Sequence, residues 1–384
     1  MSLVLIVNAG SSSLKLRVLD DAGSVTGSAD SVTGSYSVTG SYSVTGSADL
    51  PAPRGAADAA AIKAAIEPFG EVHAVGHRIV HGGQEFSGPV LIDAGVRQRI
   101  GALTDLAPLH QPKSLAALDA VQAVLPDVPA VACFDTAFHA GMPAAAATLA
   151  LPEPWRERWA LRRYGFHGLS HAYVSRRAAE LVGGDASQLR VVSCHLGAGA
   201  SLAAVYGGAS VDTTMGFTPL DGLVMATRSG SVDPGLVLWL QTHAGLSAAE
   251  IGDALEHSSG LTGLAGTGDM LQILDRAAAG DERADLAIQV YLHRLAASVA
   301  AMTAALGGLD ALVFTGGVGE NSAEVRSRAA ARLGFLGVRV DEDRNTAATS
   351  DEDIGAPDAG VRTLRIAARE DIEMARQVRT VVHP

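Results

Sequence analysis

The sequence predicts an α/β protein built from two similar halves. Short apolar segments alternate with longer, helix-forming segments along most of the 384 residues, which is typical of folds that alternate strands and helices. The segment VLIVNAGSSSLKLRV at residues 4–18 also resembles VVSCHLGAGASLAAV at residues 191–205, since each contains a strand, a glycine turn and a second strand. A chain of this length usually forms two domains. Two such halves, each offering a turn to a phosphate, would hold a nucleotide in a cleft between them.

The first hairpin is predicted by a change of pattern near residue 11. Residues 3–7 form a continuous apolar run, as expected of a strand buried on both faces. Polar and apolar residues then alternate, so that one face carries Ser11, Ser13, Lys15 and Arg17. This face suits the oxygen atoms of a phosphate or a hydrated metal ion, although a common Gly/Ser hairpin turn has the same composition. No G-K-[ST] sequence opens a helix here, which argues against a P-loop.

A low-complexity repeat interrupts the first half. The sequence SVTG starts at residues 24, 31, 37 and 43, and glycine recurs every six or seven residues. Four copies of this length are too short for a solenoid. We therefore interpret residues 24–49 as an insertion that forms a surface hairpin or loop without a catalytic role.

The remaining elements follow from apolar runs and helix signals. Helices are predicted at 56–68 and 113–124, and strands at 72–80 and 128–134, the last ending at Asp135. Residues 191–195 and 311–314 are apolar strands that end in glycine-rich turns, and a long helix at 284–306 ends at Gly307-Gly308.

Composition excludes several classes of protein. A net charge of −12 and a pI near 5.4 argue against nucleic acid or an anionic membrane as a partner. Cys133 and Cys194 lack the spacing of a disulfide framework or a zinc site. The first residues lack the basic segment of a signal peptide, and no uncharged apolar run reaches about 18 residues. We expect a cytoplasmic protein.

A second glycine-rich motif, FTGGVGENS, follows the predicted strand at 311–314. Its glycines allow a tight turn, and Asn321 or Ser322 can cap the next helix. A helix N-terminus behind such a turn is a ready anion or nucleotide site, although a structural βα turn would have the same sequence.

Isolated arginine, histidine and aspartate residues suggest anionic chemistry. Arginine binds carboxylate or phosphate groups through two parallel hydrogen bonds, and Asp135 lies at the carboxyl end of a strand, where open α/β sheets bind ligands. No H-x-x-x-H or H-E-x-x-H spacing indicates zinc. The candidates are Arg78 on a strand, His110 in a proline-bounded loop, Asp135, His167 and His171 around Gly168, and Arg228 in a Gly/Ser loop.

Ten motifs in this order resemble those of the acetate kinases. They are NAGSSSLK, HRIVHGG, DLAPLHQP, FDTAFH, YGFHGLSH, HLGAGAS, MGFTPLDGL, TRSG, FTGGVGEN and REDIEMAR. The resemblance implies the duplicated, actin-like (ribonuclease H-like) fold of the acetate and sugar kinases, Hsp70 and actin, with a nucleotide cleft between two domains. The first domain would comprise residues 1–137 and 370–384 with the insertion at 24–49. Residues 138–369 would form the second, for nucleotide binding and dimerisation.

The resemblance also implies a function. It is reversible, Mg²⁺-dependent phosphoryl transfer from ATP to acetate, giving acetyl phosphate and ADP, by a phosphotransferase with a carboxyl group as acceptor. Mn²⁺ is an alternative metal. A propionate or butyrate kinase, or a lapsed homologue that binds nucleotide without chemistry, are the alternatives; Val80 favours acetate by limiting the space for a longer substrate. The protein is expected to form a homodimer and to bind neither nucleic acid nor membrane.

The same resemblance assigns site residues. The metal would be held by Asn8 and Glu370. The catalytic residues would be Asp135, His167, Arg228, Arg78 and His110. Arg78 would bind the substrate carboxylate, and the wall around its methyl group would be Val80, Leu109, Phe166 and Pro219. The nucleotide would be surrounded by Ser11, Ser13, Lys15, His195, Leu196, Gly197, Ala198, Gly199, Asp269, Met270, Leu271, Gly317, Val318, Gly319, Glu320 and Asn321.

Four positions depart from the family pattern. Ala198 and Leu271 stand where the family has Asn and Arg, Leu169 replaces Thr, and Gln111 replaces Asn. The first two changes remove polar contacts to the nucleotide, each worth about 1–3 kcal/mol when buried and charged. We therefore expect weak discrimination between nucleoside triphosphates, with the reaction class retained.

Overall fold

A computed structural model describes residues 3–10, 13–20, 43–52 and 58–382. The chain divides into two compact units, residues 1–138 with 369–384 and residues 139–368. We call these the first and the second unit. No helix in the described ranges is both long and apolar enough to cross a membrane.

The first unit contains a six-stranded sheet with the order β3-β2-β1-β4-β6-β5. Strands β1, β2 and β3 form an antiparallel meander, and β1, β4 and β6 run parallel. The strands are β1 (Leu3–Ala9), β2 (Ser13–Asp20), β3 (Ser43–Pro51), β4 (Val72–Ile79), β5 (Val90–Leu91) and β6 (Ala130–Phe134).

The second unit contains a six-stranded sheet with the order β9-β8-β7-β10-β12-β11. Counted within its own unit, each sheet has the order 3-2-1-4-6-5, with the same pattern of parallel and antiparallel neighbours. The duplicated α/β fold predicted from the sequence is therefore confirmed. The strands are β7 (Arg190–Leu196), β8 (Ala200–Tyr206), β9 (Ala209–Thr213), β10 (Ala311–Thr315), β11 (Glu352–Asp353) and β12 (Arg362–Arg365).

Helices cover both faces of the first sheet, which fits the continuous apolar run at residues 3–7 of β1. Leu5 and Val7 join a core cluster with residues of α3, whereas Ile6 faces α15. A Cβ at Gly76 of β4 would lie 2.8 Å from a Val378 side-chain atom, so glycine permits α15 to approach the sheet closely. The helices of this unit are α1 (Ala59–Ile66), α2 (Ala94–Ala102), α3 (Gln111–Val124) and α15 (Glu370–Val382).

The second unit contains most of the helices. The 25-residue helix α11 ends at Gly307, which has the left-handed conformation typical of a helix C-terminus. The helices are α4 (Ala144–Ala147), α5 (Glu153–Trp159), α6 (Gly168–Val182), α7 (Pro234–Thr242), α8 (Ala248–His257), α9 (Gly260–Ala265), α10 (Met270–Ala278), α11 (Glu282–Leu306), α12 (Gly316–Asn321), α13 (Ala323–Arg332) and α14 (Glu342–Ala347).

The structure refines three local predictions. The last SVTG copy forms one strand of a hairpin, which was one of the two predicted alternatives, because residues 43–51 form β3 and pair with β2 along their length; residues 24–42 lie outside the described residues. His110 lies in the turn that precedes α3, as predicted, although α3 begins at Gln111, two residues earlier than expected. Ser322 caps the following helix as predicted, whereas the glycines that were expected to form a turn belong to the short helix α12 at residues 316–321.

Candidate functional site

An ionised cluster lies at the carboxyl edge of the parallel strands in the first unit. Asn8 belongs to β1, Arg78 to β4, and Asp135 directly follows β6. Glu370 is the first residue of α15, which packs on the same sheet. Sequence-distant residues meet here because the carboxyl ends of parallel strands share one edge. We call these four residues the Arg78 cluster.

Arg78 is the centre of this cluster. Its Nε and Nη2 atoms donate to the two carboxylate oxygens of Asp135 at 3.0 and 2.5 Å. Its Nη1 donates to Asn8 Oδ1 at 3.2 Å, and its Nε lies 3.7 Å from Glu370 Oε2. Three of its five N–H groups are thus used by Asp135 and Asn8, so two have no partner among the described residues and can serve a further anion.

The Arg78 cluster has an excess of negative charge. Two carboxylates, Asp135 and Glu370, face one guanidinium group, and the side chain of Asp135 is only 2% exposed. Burial raises the pKa of the Asp135 carboxyl above its ordinary value; the Arg78 guanidinium opposes this shift, and the Glu370 carboxylate adds to it. A bound cation would offset the excess charge.

The donor atoms of the cluster fit Mg²⁺. They are carboxylate and amide oxygens, which hard divalent cations prefer. The described residues contain no group of three or more His, Cys, Asp or Glu side chains that could hold a metal. Mg²⁺ usually takes only one or two carboxylates and completes its shell with water and substrate phosphates, so a site with few protein ligands is compatible with this metal.

The other predicted residues of the first unit lie on its surface or outside the described ranges. Lys15 is exposed and Ser13 half-buried on β2, while Ser11 is not among the described residues. Val80 is half-buried directly after β4, and Leu109 is 47% exposed before α3.

A second cluster, made of histidine and serine, lies between α6 and the sheet of the second unit. Positions i, i+3 and i+4 of a helix share a face, as do alternating positions of a strand. These spacings bring together His167, Ser170 and His171 on the helix side and Ser193, His195 and Ser201 on the strand side. We call these six residues the histidine–serine layer.

Hydrogen bonds connect the histidine–serine layer. His167 Nδ1 lies 2.9 Å from Ser201 Oγ, which lies 2.8 Å from His171 Nε2. Ser170 Oγ lies 2.8 Å from His195 Nδ1. The rings of His167 and His195 stack with centroids 4.4 Å apart. The imidazoles are therefore fixed in position by hydroxyl groups.

His167 has a strained backbone. Its φ of 55° lies in the left-handed region, which only one other non-glycine residue, Ala160, adopts within the described ranges. Such conformations cost about 1–3 kcal/mol and cluster at functional sites. In this case the left-handed conformation lets the chain enter α6 at Gly168 while the ring of His167 packs against His195.

Arg228 approaches the same end of the layer. An ideal Cβ at Gly199 would lie 3.4 Å from His167 Nε2 and 3.5 Å from Arg228 Nη1, so both cationic or donor groups converge near this glycine. Arg228 Nε pairs with Glu256 Oε2 at 2.9 Å, and its Nη1 donates to the Pro219 carbonyl at 3.2 Å. The predicted residue Phe166 is buried, and its carbonyl accepts from His139.

Two glycine-rich segments lie at the ends of neighbouring strands. Gly197–Gly199 form the turn between β7 and β8, and α12 follows β10, which pairs with β7. Gly316 has a φ of 77°, and a Cβ there would lie 2.9 Å from the Leu196 carbonyl. The predicted residues Leu196, Ala198, Gly317, Val318, Gly319 and Asn321 therefore lie on adjacent segments of the second unit.

Two predicted nucleotide residues have structural contacts of their own. The Glu320 carboxylate accepts from the N–H groups of Gly316 and Ala368 at 3.0 and 2.8 Å. Asp269 caps α10 by accepting from the N–H groups of Leu271 and Gln272. In the same helix Met270 is buried, whereas Leu271 is 68% exposed.

Sequence reasoning missed four residues of these sites, namely Ser170, Ser193, Ser201 and Glu256. Ser193 and Ser201 were not predicted, although the sequence carried a signal for both. Ser193 lies two residues before His195 in SCH, and Ser201 ends the sequence AGAS, so both occupy strand positions on the face opposite HGLSH. Glu256 carried no such signal, because its pairing with Arg228 depends on how α8 packs.

Comparisons with known proteins identify the family of this chain. A profile of the acetokinase family matches residues 3–376. The acetate kinase of Deinococcus deserti is 44% identical over 391 residues, covering 99% of this chain and 98% of that protein. The crystal structure of Porphyromonas gingivalis acetate kinase matches with a TM-score of 0.87 and 34% identity over 100% of both chains. A propionate kinase of Francisella tularensis matches with a TM-score of 0.87 and 35% identity over 99% of this chain and 100% of that one. The chain therefore belongs to the acetokinase family of phosphotransferases with a carboxyl group as acceptor.

Proposed function

We propose that the protein transfers the γ-phosphoryl group of ATP reversibly to acetate, giving acetyl phosphate and ADP. The observation that carries this proposal is Arg78, which already binds one carboxylate through two hydrogen bonds and keeps two N–H donors. Family membership supports the reaction class.

The chemistry needs little help from a general base. A carboxylate with a pKa near 4 is ionised at neutral pH. An acetate oxygen attacks the γ-phosphorus, a new O–P bond forms, and the bond to the β–γ bridging oxygen breaks to release ADP. Catalysis then consists of alignment and of stabilising charge on the phosphoryl oxygens.

We assign alignment of the acceptor to the Arg78 cluster. The two remaining N–H donors of Arg78 would bind the acetate carboxylate, and Asp135 would hold the guanidinium in its plane. Asn8 and Glu370 would hold Mg²⁺, which when bound neutralises charge on phosphate oxygens. Asp135 would orient its neighbours rather than accept a proton from the substrate. His110 would lie near the acetate.

We assign stabilisation of the transferred group to the second unit. His167 and Arg228 converge near Gly199, where they would donate to phosphoryl oxygens. The backbone N–H groups of Gly197–Gly199 and of α12 would bind the other phosphates. The exposed, apolar Leu271 offers no hydrogen bond to a base, which supports weak nucleotide discrimination.

We also propose a homodimer formed through the second unit. Helix α7 exposes three large apolar side chains, namely Leu236 at 47%, Leu238 at 61% and Trp239 at 52%. Exposed apolar surface can mark a protein interface. Leu238→Glu should convert the dimer to a monomer in analytical ultracentrifugation, and an unchanged dimer would reject this interface.

A steady-state assay tests the proposed activity. The protein, ATP, Mg²⁺ and acetate are incubated with hydroxylamine, which traps acetyl phosphate as the hydroxamate. Hydroxamate that depends on all three reagents supports the proposal. Its absence, together with measurable ATP binding, would favour the lapsed homologue.

Propionate kinase is the second candidate, because a solved propionate kinase is as similar in structure as an acetate kinase. Running the same assay with propionate and butyrate distinguishes the two. One methylene is worth about 1–3 kcal/mol in such a pocket, so some activity with propionate is expected. A higher kcat/KM for propionate than for acetate would reverse the assignment.

A further inference from the structure

A continuous hydrogen-bond chain runs through the histidine–serine layer to His167. Ser193 Oγ lies 2.9 Å from His171 Nδ1, and His171 Nε2 lies 2.8 Å from Ser201 Oγ. Ser201 Oγ in turn lies 2.9 Å from His167 Nδ1. Ser193, His171 and Ser201 are fully buried. Each hydrogen bond shares a group with the next one, so the proton positions depend on one another.

The buried His171 links the proton positions of Ser193 and Ser201. Burial, and then the neighbouring His139 and His195, lower the pKa of His171 well below its ordinary value, so its ring is neutral at pH 7. A neutral imidazole donates from one nitrogen and accepts at the other. His171 therefore passes a single direction of donation from Ser193 to Ser201.

Ser193 sets that direction. Among the residues that the structure describes, its hydroxyl has one hydrogen-bond partner, His171 Nδ1. If Ser193 donates to this nitrogen, its proton is satisfied. The opposite direction would leave a buried hydroxyl proton without an acceptor, which is unfavourable. Donation thus runs from Ser193 to His171, from His171 Nε2 to Ser201, and from Ser201 to His167 Nδ1.

We infer that Ser201 and His171 are positioning residues that keep the proton of His167 on Nε2. In this tautomer His167 donates at the atom that lies, with Arg228 Nη1, around Gly199. The reverse tautomer would present a lone pair there, which repels anionic oxygens. The inference rests on the proposed function for the role of His167, whereas the tautomer itself follows from the hydrogen-bond chain.

Nitrogen NMR on protein with ¹⁵N-labelled histidine rings tests the tautomer directly. The His167 signals are assigned by comparison with His167→Asn. In the unmodified protein, we expect neutral His167 to carry its proton on Nε2 and none on Nδ1. A proton on Nδ1 would overturn the inference whatever the variants do.

Ser201→Ala should allow neutral His167 to carry its proton on either ring nitrogen. We expect kcat to fall about tenfold, which corresponds to about 1.4 kcal/mol, and the KM for acetate to stay unchanged. Ser175→Ala is the matched control, because this buried serine lies on the same helix as His171 and, within the described ranges, donates only to the backbone carbonyls of His171 and Ala172. It should leave both the tautomer and kcat unchanged.

Ser193→Ala breaks the hydrogen-bond chain at its other end and replaces Ser201→Ala in this test if that variant does not fold. It should also give a mixture of His167 tautomers. Retention of the Nε2 proton in a folded Ser201→Ala or Ser193→Ala protein would overturn the inference, with or without loss of kcat. If the unmodified protein forms no acetyl phosphate, the proposed function fails, but the NMR result still decides the tautomer.

Discussion

The two units have the same strand order but carry different chemistry on it. In the first unit, three ionised side chains, Arg78, Asp135 and Glu370, lie at the carboxyl edge of the sheet. In the second, imidazole and hydroxyl groups joined by hydrogen bonds form a layer under α6, and Arg228 approaches its end. The same strand order therefore carries an ionised cluster in the first unit and a chain of oriented hydrogen bonds in the second.

This difference determines what each cluster contributes to stability. A buried ion pair that loses one partner leaves an uncompensated charge, which is costly. A neutral hydrogen-bond chain that loses one member changes proton positions at a smaller cost. Substitutions in the first cluster should therefore affect folding and activity together, and those near the second should affect mainly activity.

The largest effect is expected for Arg78→Ala. It leaves the buried Asp135 carboxylate, and the half-buried Glu370, without their cation, and the exposed fraction of Asp135 is only 2%. Loss of the partner of this buried charge should lower the free energy of unfolding by about 3–5 kcal/mol. It should also lower kcat/KM for acetate by about 10²–10³-fold. Urea unfolding and the hydroxamate assay measure the two losses.

Arg97→Ala is the matched control for Arg78→Ala. Arg97 makes the same two-bond pair with Asp119, at 3.0 and 2.7 Å, but on the surface of the same unit. Surface pairs contribute only about 0–1 kcal/mol, and activity should be unchanged. Equal losses in both variants would refute the special role of the Arg78 cluster.

Arg228→Ala should separate activity from stability. Arg228 and Glu256 are each 21% exposed, so water can solvate the carboxylate that remains. We expect kcat/KM to fall about 10²-fold while the free energy of unfolding changes by less than about 1 kcal/mol. Arg276→Ala, which breaks an ion pair with Asp281 in the same unit, should leave activity intact. A loss of stability as large as that of Arg78→Ala would remove the contrast between the two units.

The pH dependence of stability also distinguishes charged from neutral groups. Burial lowers the pKa of His77 and of His139 to about 4, from 6.5. The unfolded chain then binds more protons between pH 6.5 and 4, so stability falls as pH falls through this window, by about 1.4 kcal/mol per pH unit for each histidine. The raised pKa of Asp135 acts with the opposite sign. Urea unfolding at pH 7.5, 6.5 and 5.5 should show this decrease, and constant or rising stability would mean that the carboxylates dominate.

The smallest effect is expected for deletion of residues 24–42. The heptapeptide SVTGSAD occurs both at 24–30 and at 43–49, so the deletion joins Gly23 to the same sequence that follows it in the full chain. It retains β3 and leaves residues 21–23 between the paired Asp20 and Ser43, a common hairpin length. Stability should change by less than about 0.5 kcal/mol.

Deletion of residues 24–49 is the informative contrast. It removes most of β3, including Gly46, where a Cβ would lie 2.2 Å from the Phe69 ring. The melting temperature should fall by several degrees more than for the shorter deletion. Equal melting temperatures would show that β3 contributes nothing to the first unit.

Many strands of the two sheets could be predicted because each is a short continuous apolar run that can be recognised from neighbouring residues alone. The end of β6 at Phe134 placed Asp135 at a ligand-binding edge, and Arg78 was expected on a strand. The bounds of β3 could not be predicted, because four nearly identical SVTG copies do not indicate which one pairs with β2.

Other features depend on packing between distant residues. Three glycines make residues 316–321 a poor helix by propensity, yet the Glu320 carboxylate accepts from Gly316 and Ala368, which stabilises α12 through a contact 48 residues away. Likewise, the pairing of Arg228 with Glu256 and the chain from Ser193 to His167 depend on how helices lie against their neighbours. Periodicity alone does not specify these contacts.

The measurement that tests the central claim most directly is the pair of KM values for Arg78→Lys. Lysine keeps the charge that Asp135 and Glu370 require, so the fold should persist, but it lacks the planar donors of a guanidinium group. We predict that the KM for acetate rises at least about tenfold while the KM for ATP changes less than about twofold. An unchanged KM for acetate, or a larger rise in the KM for ATP, would contradict the assignment of carboxylate binding to Arg78.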